Sequence, residues 1–275
     1  MLYYRNMLLK GDLIKKDKIK GIDFIKKSAD LGNSEASLKY GKILFEGIEI
    51  PQNKKQAAVY YKKAVDQGNE EAILQYGLML LRGDGIESNK NEAYFYLKML
   101  ADQGNSIAMY EYGKHLISTL KENTFVEGVN YIKQSADLGY VDSIHSYGFL
   151  LRYGLGVQMN VKESDKYFKK SIELKSTYGM WFYAKCLLNS EDIESKKEAI
   201  KYIKILIEHN NKEAMLMYAK LLFIGKDIPM NLKEAAYYYK KSADLGCSEA
   251  MTLYALMLYN GQGILINENE SFMFI

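Results

Sequence analysis

The sequence predicts an all-α protein built as a single array of antiparallel helix pairs. One pattern returns every 35 or 36 residues along the 275-residue chain, and each copy contains two stretches in which apolar residues recur at helical spacing. The chain also has 21 glycines but only 2 prolines, and the glycines recur at fixed places. Because a single helix pair cannot bury its apolar face alone, we expect neighbouring copies to stack into a continuous core.

Two columns of this repeat are filled in every copy. A tyrosine occupies the first column, at Tyr4, Tyr40, Tyr76, Tyr112, Tyr147, Tyr183, Tyr218 and Tyr254. A leucine follows four residues later, at Leu8, Leu44, Leu80, Leu116, Leu151, Leu187, Leu222 and Leu258. Composition alone does not fill two columns eight times, and the four-residue spacing places both side chains on one face of a helix.

The first helix of each copy carries small and apolar residues at helical spacing, such as Ala72, Tyr76 and Leu80. Glycine or alanine stands beside the tyrosine. Because these side chains are small, another helix can approach closely there. A glycine in the left-handed conformation is predicted to end the helix. These glycines are Gly11, Gly47, Gly83, Gly154, Gly225 and Gly261.

The second helix begins with a residue whose side chain can cap it, at Asp17, Asn53, Asn89, Thr124, Asn160, Ser195, Asn231 and Asn267. Three residues later stands Gln56, Glu92, Glu127, Glu163, Glu198, Glu234 or Glu270, with Lys20 as the exception. This spacing predicts a capping box, in which each of the two side chains accepts a hydrogen bond from the backbone N–H of the other residue.

The second helix ends with an acidic residue four positions after a lysine, as in Lys62 and Asp66. An exposed pair at this spacing contributes only about 0.2–0.5 kcal/mol to helix stability. An acid in the last turn also faces the unfavourable end of the helix dipole. The recurrence of this acid therefore predicts a further partner, and we expect donors at the start of the next helix.

Two connections between helices depart from the pattern. The spacing from Leu116 to Lys133 and from Leu187 to Lys204 is 17 residues instead of 18, and Thr119 and Ser190 replace the capping glycine. Because loop length and turn residues change together, a different turn is predicted at both places, with the helices on either side kept in register.

The repeat resembles a known family. A helix pair of 35 or 36 residues with A-x-x-x-Y-G-x-x-L in the first helix, G-x-G in the loop and A-Y-x-Y-x-K-x-A-D-x-G in the second is similar to the Sel1-like repeat over the whole chain. Tetratricopeptide repeats run at 34 residues and lack the glycine-rich loop. The resemblance implies a right-handed superhelix, a tetratricopeptide-like solenoid whose first helices line a concave surface. It also implies an adaptor or scaffold that brings other proteins together.

We expect one array over residues 1–275. It comprises a partial repeat at 1–32, whole repeats at 33–68, 69–104, 105–139, 140–175, 176–210 and 211–246, and a partial repeat at 247–275. The chain opens inside a first helix, and neither end has the polar cap that such arrays need for solubility. We therefore expect a fragment of a longer protein, in which a neighbouring domain holds part of the function.

Composition excludes several classes of protein. A net charge of +3, without a cluster of lysine and arginine, predicts neither a nucleic acid nor a membrane surface as partner. The chain lacks a signal peptide and any apolar run of about 18–20 residues, which predicts a soluble, cytoplasmic protein. Cys186 and Cys247 lie two copies apart, roughly 20 Å by stacking distance, so we expect free thiols.

Catalytic and metal-binding patterns are weak. The three histidines are His115, His145 and His209, and no H-x-x-x-H, C-x-x-C or H-E-x-x-H spacing occurs. Gly83 and Gly85 join two helices and are not followed by G-K-S/T, which favours a helix cap over a phosphate loop. No enzyme activity, metal or cofactor is predicted.

The residues that the repeat leaves free are more informative about function. On the face opposite the apolar stripe, at positions equivalent to 35, 38, 39, 42 and 46, the middle copies become aromatic. The candidate protein-binding residues are Tyr110, His145, Phe149, Tyr153, Tyr178, Trp181, Phe182 and Lys185. Such a cluster is typical of a binding hot spot. The competing interpretation is that these aromatics fill gaps between irregularly packed helices.

These observations favour a non-enzymatic scaffold or adaptor that binds a peptide or helix of a partner protein on its concave surface. Lysines along that surface are expected to select acidic segments, namely Lys39, Lys42, Lys114, Lys185 and Lys220. The alternative is the regulatory array of a larger enzyme, such as a protein kinase, whose catalytic domain lies outside this chain. Hydrolase activity is disfavoured because no nucleophile has a base at a defined spacing.

Overall fold

The computed structural model describes residues 18–267 and residue 271. In chain order these residues form α1 Lys18–Asp30, α2 Ser34–Glu46, α3 Lys54–Val65, α4 Glu70–Arg82, α5 Lys90–Asp102, α6 Ser106–Ser118, α7 Glu122–Asp137, α8 Val141–Tyr153, α9 Val161–Glu173, α10 Thr177–Leu188, α11 Ile193–Glu208, α12 Lys212–Ile224, α13 Leu232–Asp244 and α14 Ser248–Asn260. The described residues contain helices and loops but no strand, which confirms the all-α class. The predicted features at Tyr4, Leu8, Gly11, Asp17 and Glu270 lie outside the described residues.

The chain divides into two compact units, residues 1–140 and 141–275. The first unit holds α1 to α7, and each helix packs against the next one in the chain. The second unit holds α8 to α14 in the same arrangement, and in it α8 also packs against α10. Short loops make neighbouring helices antiparallel, so each unit is a stack of helix pairs in which the even-numbered helices are the first helices of the repeat.

The tyrosine column of the first helix contacts a tyrosine of the second helix in the same pair. Tyr40 on α2 meets Tyr60 on α3 edge to face with ring centroids 4.7 Å apart, and Tyr218 on α12 meets Tyr238 on α13 at 5.1 Å. Both distances lie in the range that aromatic pairs prefer. The leucine column and the small residues beside it are buried throughout the described repeats. The stripe predicted from periodicity is therefore the core.

Regular connections span seven residues and are closed by backbone atoms. The predicted glycines end the first helices with positive φ, between 65° at Gly154 and 75° at Gly83. Asn89 caps α5 by accepting from the backbone N–H of Glu92, as predicted. Its own N–H donates to the carbonyl of Leu80 at 3.0 Å, and Glu92 accepts from the Asn89 side-chain amide instead. The reciprocal half of the capping box is therefore wrong here, because the leucine carbonyl already satisfies that donor.

The second glycine of the loop permits a close approach to the preceding repeat. Gly85 has a φ of 77°, and a Cβ at this position would lie 2.5 Å from the backbone carbonyl carbon of Lys54 at the start of α3. No side chain fits at such a distance. The G-x-G sequence thus combines a helix end with a contact between copies.

The two shortened connections use a different turn, as predicted. They contain residues 119–121 and 189–192, and the helices that follow them, α7 and α11, are 16 residues long where the other second helices have 12 or 13. The predicted caps Thr124 and Ser195 are wrong, since α7 begins after Lys121 and α11 after Asp192, whose carboxylate accepts from Ser195. An extra helical turn at the start of the second helix replaces the longer loop.

At the ends of α1 and α5 the acid has a partner in the next copy, but not the one predicted. Asp30 accepts from the hydroxyl of Tyr60 at 2.8 Å, and Asp102 accepts from Tyr131 at 2.5 Å. The Tyr60 hydrogen bond holds the pKa of Asp30 below its ordinary value, while burial and the bond to Asp102 raise the pKa of Tyr131 to about 12. The donor is thus a tyrosine within the next second helix, not a group at the start of a helix.

Candidate protein-interaction surface

Aromatic residues of α8 and α10 lie close together in the second unit. We call Phe149, Tyr153, Tyr178, Trp181 and Phe182 the aromatic patch. The Phe149 ring lies 4.7 Å from that of Tyr153 and 5.7 Å from that of Phe182, measured between centroids. The first contact lies within α8, and the second follows from the packing of α8 against α10, which brings together residues that are about 30 positions apart in the sequence.

Exposure differs within the aromatic patch. Tyr178 is 68% exposed and Tyr153 is 50% exposed, whereas Phe149, Trp181 and Phe182 are half-buried against the core of the second unit. The patch thus combines rings anchored in the core with rings open to solvent. Both sequence interpretations contribute to this arrangement, because the half-buried rings fill space between helices and the exposed tyrosines do not.

His145 is not on the surface, contrary to its predicted place on the exposed face. Its side chain is only 8% exposed, and its ring is stacked with those of Tyr178 and Phe182 at centroid distances of 6.2 and 6.3 Å. Nδ1 donates to the carbonyl of Val141 at 3.1 Å. Burial lowers the pKa of His145, which favours the neutral imidazole, and the ring supports the aromatic patch from beneath.

Tyr110 belongs to the first unit. Its ring contacts that of Tyr140 at 5.4 Å, and Lys114 Nζ lies 4.4 Å from its centroid. The other predicted site residues are all in the second unit. The structure therefore groups Phe149, Tyr153, Tyr178, Trp181 and Phe182, with His145 beneath them and Lys185 beside Trp181, and describes Tyr110 apart from them.

One column of the predicted exposed face is largely core. Leu38, Leu74 and Leu216 are buried, with exposures of 9% or less. Rotation by 100° per residue assigned this column to the open side because it assumed one packed stripe per helix. Each first helix instead packs against the second helix before it and the one after it, so more than one stripe is covered.

The lysines along the first helices are occupied within the chain. Lys42 pairs with Glu71, Lys114 with Glu111 and Lys220 with Glu249. Lys185 has no such pair in the described repeats, and its Nζ lies 5.7 Å from the centroid of the Trp181 ring. These ion pairs weaken the expectation that the lysines select acidic segments, because the paired lysines do not form a row of free cations.

A cavity of about 310 Å³ adjoins the patch, lined by Thr177, Tyr178, Trp181, Phe182, Asn211 and Glu213. The periodicity of single helices does not predict Thr177, Asn211 and Glu213, because the cavity is formed by two helices. A usable signal was present, since Lys185 and Glu213 are spaced almost as the pairs Lys42–Glu71 and Lys220–Glu249 are.

Groups suited to other chemistry are few. Among residues 18–267, no cluster of three or more histidine, cysteine, aspartate or glutamate side chains has the geometry of a metal site. Cys186 is buried and unpaired, and burial raises the pKa of its thiol, which lowers its reactivity.

None of the helices described is both long enough and apolar enough to cross a membrane.

Comparison with known proteins agrees with the helix pairs. The sequence model of the Sel1 repeat matches residues 6–33, 34–69, 70–105, 106–140, 141–176, 212–247 and 248–274. These matches leave out residues 177–211, although α10 and α11 form a helix pair there. No curated protein matches the sequence.

Solved structures share the fold at low sequence identity. A protective antigen of uropathogenic Escherichia coli with an SLR fold aligns with a TM-score of 0.85 and 21% identity, over 98% of this chain and 58% of the antigen. The present chain thus spans little more than half the length of that relative. A Sel1 repeat protein from Oxalobacter formigenes aligns with a TM-score of 0.69 and 19% identity, over 99% of this chain and 79% of its own.

The family's sequence model thus matches most of this chain. The chain also has the tyrosine and leucine columns, first helices that end at glycine and second helices capped by asparagine. The chain belongs to the Sel1 repeat family.

Proposed function

We propose that this chain is a non-enzymatic protein-interaction scaffold that binds a peptide or helix of a partner through the aromatic patch. Sel1 repeat proteins are commonly protein-interaction scaffolds, and their solenoid fold is typically non-catalytic. The observation that carries the proposal is the exposure of Tyr153 and Tyr178 beside anchored rings. A contiguous group of aromatic side chains that includes exposed rings next to a cavity is a common feature of interaction sites.

The arrangement of the patch supports an interface rather than a loose surface. Tyrosine and tryptophan contribute disproportionately to binding energy when they sit at the centre of a partly preformed surface. The Tyr153 ring contacts that of Phe149, and the Tyr178 ring is stacked with that of His145. Less side-chain freedom therefore remains to be lost on binding.

The test compares the partners captured by the full chain and by exposed-surface variants from a lysate of the source organism. Tyr153→Ala and Tyr178→Ala should together remove specific partners, because both rings are at least half exposed. Tyr237→Ala is the matched control, since Tyr237 is 52% exposed but lies on the second helix α13. Identical partner lists for the double variant and the wild type would contradict the proposal.

A further inference from the structure

Neighbouring first helices are joined by a charged pair in both units. Lys42 on α2 pairs with Glu71 on α4, and Lys220 on α12 pairs with Glu249 on α14. In each case the lysine stands two residues after the tyrosine column, and the glutamate stands two residues after the N-cap of the next first helix. The pair therefore covers the groove between two first helices.

The same two positions between α10 and α12 hold Lys185 and Glu213, but they do not pair. Lys185 lies over the Trp181 ring, and Glu213 is exposed, with no ion-pair partner in the described part of the chain. The groove is open here, as the 310 Å³ cavity with Glu213 on its wall shows. The volume is near the lower end of the roughly 300–1,000 Å³ typical of ligand pockets and suits a single side chain.

The chemistry of the cavity wall favours a cation. Three aromatic rings and one carboxylate line it, with Thr177 and Asn211 as the neutral polar residues and no cationic side chain. Aromatic faces attract ammonium and guanidinium groups, and the position of Lys185 over Trp181 is an example within this chain. An anionic group would meet the carboxylate of Glu213 at close range.

We propose that this cavity, which we call the arginine cavity, receives an arginine side chain from the segment of a partner protein. The inference rests on the proposed scaffold function and names the residue that the scaffold recognises. The guanidinium group is planar, stacks on aromatic faces and donates two parallel hydrogen bonds to a carboxylate, here that of Glu213. The methylene stem of the arginine packs along the rings of Trp181 and Phe182.

The experiment uses the full chain and three acetylated, amidated pentapeptides that differ only in a central arginine, citrulline or glutamate. Trp181 is the only tryptophan of the chain, so its fluorescence reports on the cavity directly. We expect the arginine peptide to bind at least about fivefold more tightly than the citrulline peptide, which has the same shape but no charge. The glutamate peptide should bind more weakly than both.

Two variants locate the effect. Glu213→Gln should reduce the preference for the arginine peptide over the citrulline peptide, because the carboxylate is lost while the aromatic faces and the shape are kept. Glu249→Gln is the matched control, since it alters the equivalent, paired glutamate one repeat further on, and it should leave all three affinities unchanged. Both residues are exposed, so neither change should affect folding.

Three outcomes would overturn the inference: equal affinities for the arginine and citrulline peptides, tighter binding of the glutamate peptide, or no response to any peptide. The scaffold proposal is judged separately, by partner capture with the Tyr153 and Tyr178 variants. If partner capture depends on these tyrosines but the arginine peptide is not preferred, the scaffold proposal is supported and the proposed recognition of arginine is wrong. If arginine is preferred but capture is unchanged, the cavity binds arginine and the proposed partner surface is wrong.

Discussion

Residues 34–89 and residues 177–224 are built on the same columns, yet they differ in the loop and in the contact between neighbouring first helices. In the first region a seven-residue loop is closed by Gly47 and Asn53, and Lys42 pairs with Glu71. In the second region the loop has four residues, and Lys185 and Glu213 stay apart beside Trp181. The difference shows that the helix pair persists when the loop shortens, and that the same lysine and glutamate positions pair in one region and stay apart in the other.

The largest effect should come from the loop glycine of the regular region. Gly85→Ala is expected to lower the free energy of unfolding by roughly 2–3 kcal/mol, because the new Cβ meets the Lys54 backbone and φ is positive. Gly68→Ala separates these two causes, since Gly68 has a φ of 75° but open space around it, and should cost only about 1 kcal/mol. Urea denaturation followed by circular dichroism measures both.

The irregular region has no equivalent close contact in its short loop. Glu191→Ala should change the free energy of unfolding by less than about 0.5 kcal/mol, because Glu191 is exposed and its loop residues have no positive φ. A cost at Glu191 as large as that at Gly85 would show that the short loop is as tightly constrained as the regular one.

Helix caps should separate the two regions next. Asn53→Ala removes the side-chain acceptor for the N–H of Gln56 and should lower the free energy of unfolding by about 1 kcal/mol. Ser195→Ala alters the residue that the sequence predicted as a cap but that lies inside α11, and its effect should be less than half as large. Comparable losses for the two substitutions in the same urea titration would contradict this assignment of caps.

The fold could be predicted from the sequence because helix period, repeat period and end glycines describe local structure. The partner of Asp30 could not, since Tyr60 is 30 residues away in the next copy and its position depends on how closely the copies stack. The burial of His145 and Leu38 was missed for the same reason, as helices on both sides cover these residues. The cavity beside Trp181 depends on two helices at once, which no single-helix periodicity reports.

The ends of the second helices offer a stabilising change. Five of them are followed by a glycine with positive φ, whereas Lys175 and Asn210 take this position with φ of 60° and 55°. Lys175→Gly should raise the free energy of unfolding by about 0.5–1 kcal/mol, because a lysine is strained in the left-handed region. Asn210→Gly should gain less, since asparagine tolerates that conformation better. Thermal melting of both variants tests this order.

The smallest effect concerns the charged pair that distinguishes the two grooves. Glu71→Gln should cost only about 0.2–0.5 kcal/mol, because Lys42 and Glu71 are 36% and 54% exposed and solvent screens them. Glu213→Gln should leave stability unchanged, and added salt should reduce the first effect without altering the second. A measurable loss of stability at Glu213 would reveal a structural role for this carboxylate and would weaken its assignment to recognition.

The hydrogen bond from the cap N–H to the leucine carbonyl has a consequence for how such a chain evolves. It fixes the length of a regular loop through backbone atoms, so an exposed loop residue such as Glu87 is free to mutate, whereas Gly85 is held by its close contact. In the two loops that are one residue shorter, residues 119–121 and 189–192, this hydrogen bond is absent. An added helical turn at the start of the second helix compensates for the shorter loop, and the next tyrosine returns to its column. An insertion or deletion in one of these loops therefore has only a local effect. The surface residues of one copy can change while the helices of the neighbouring copies keep their register.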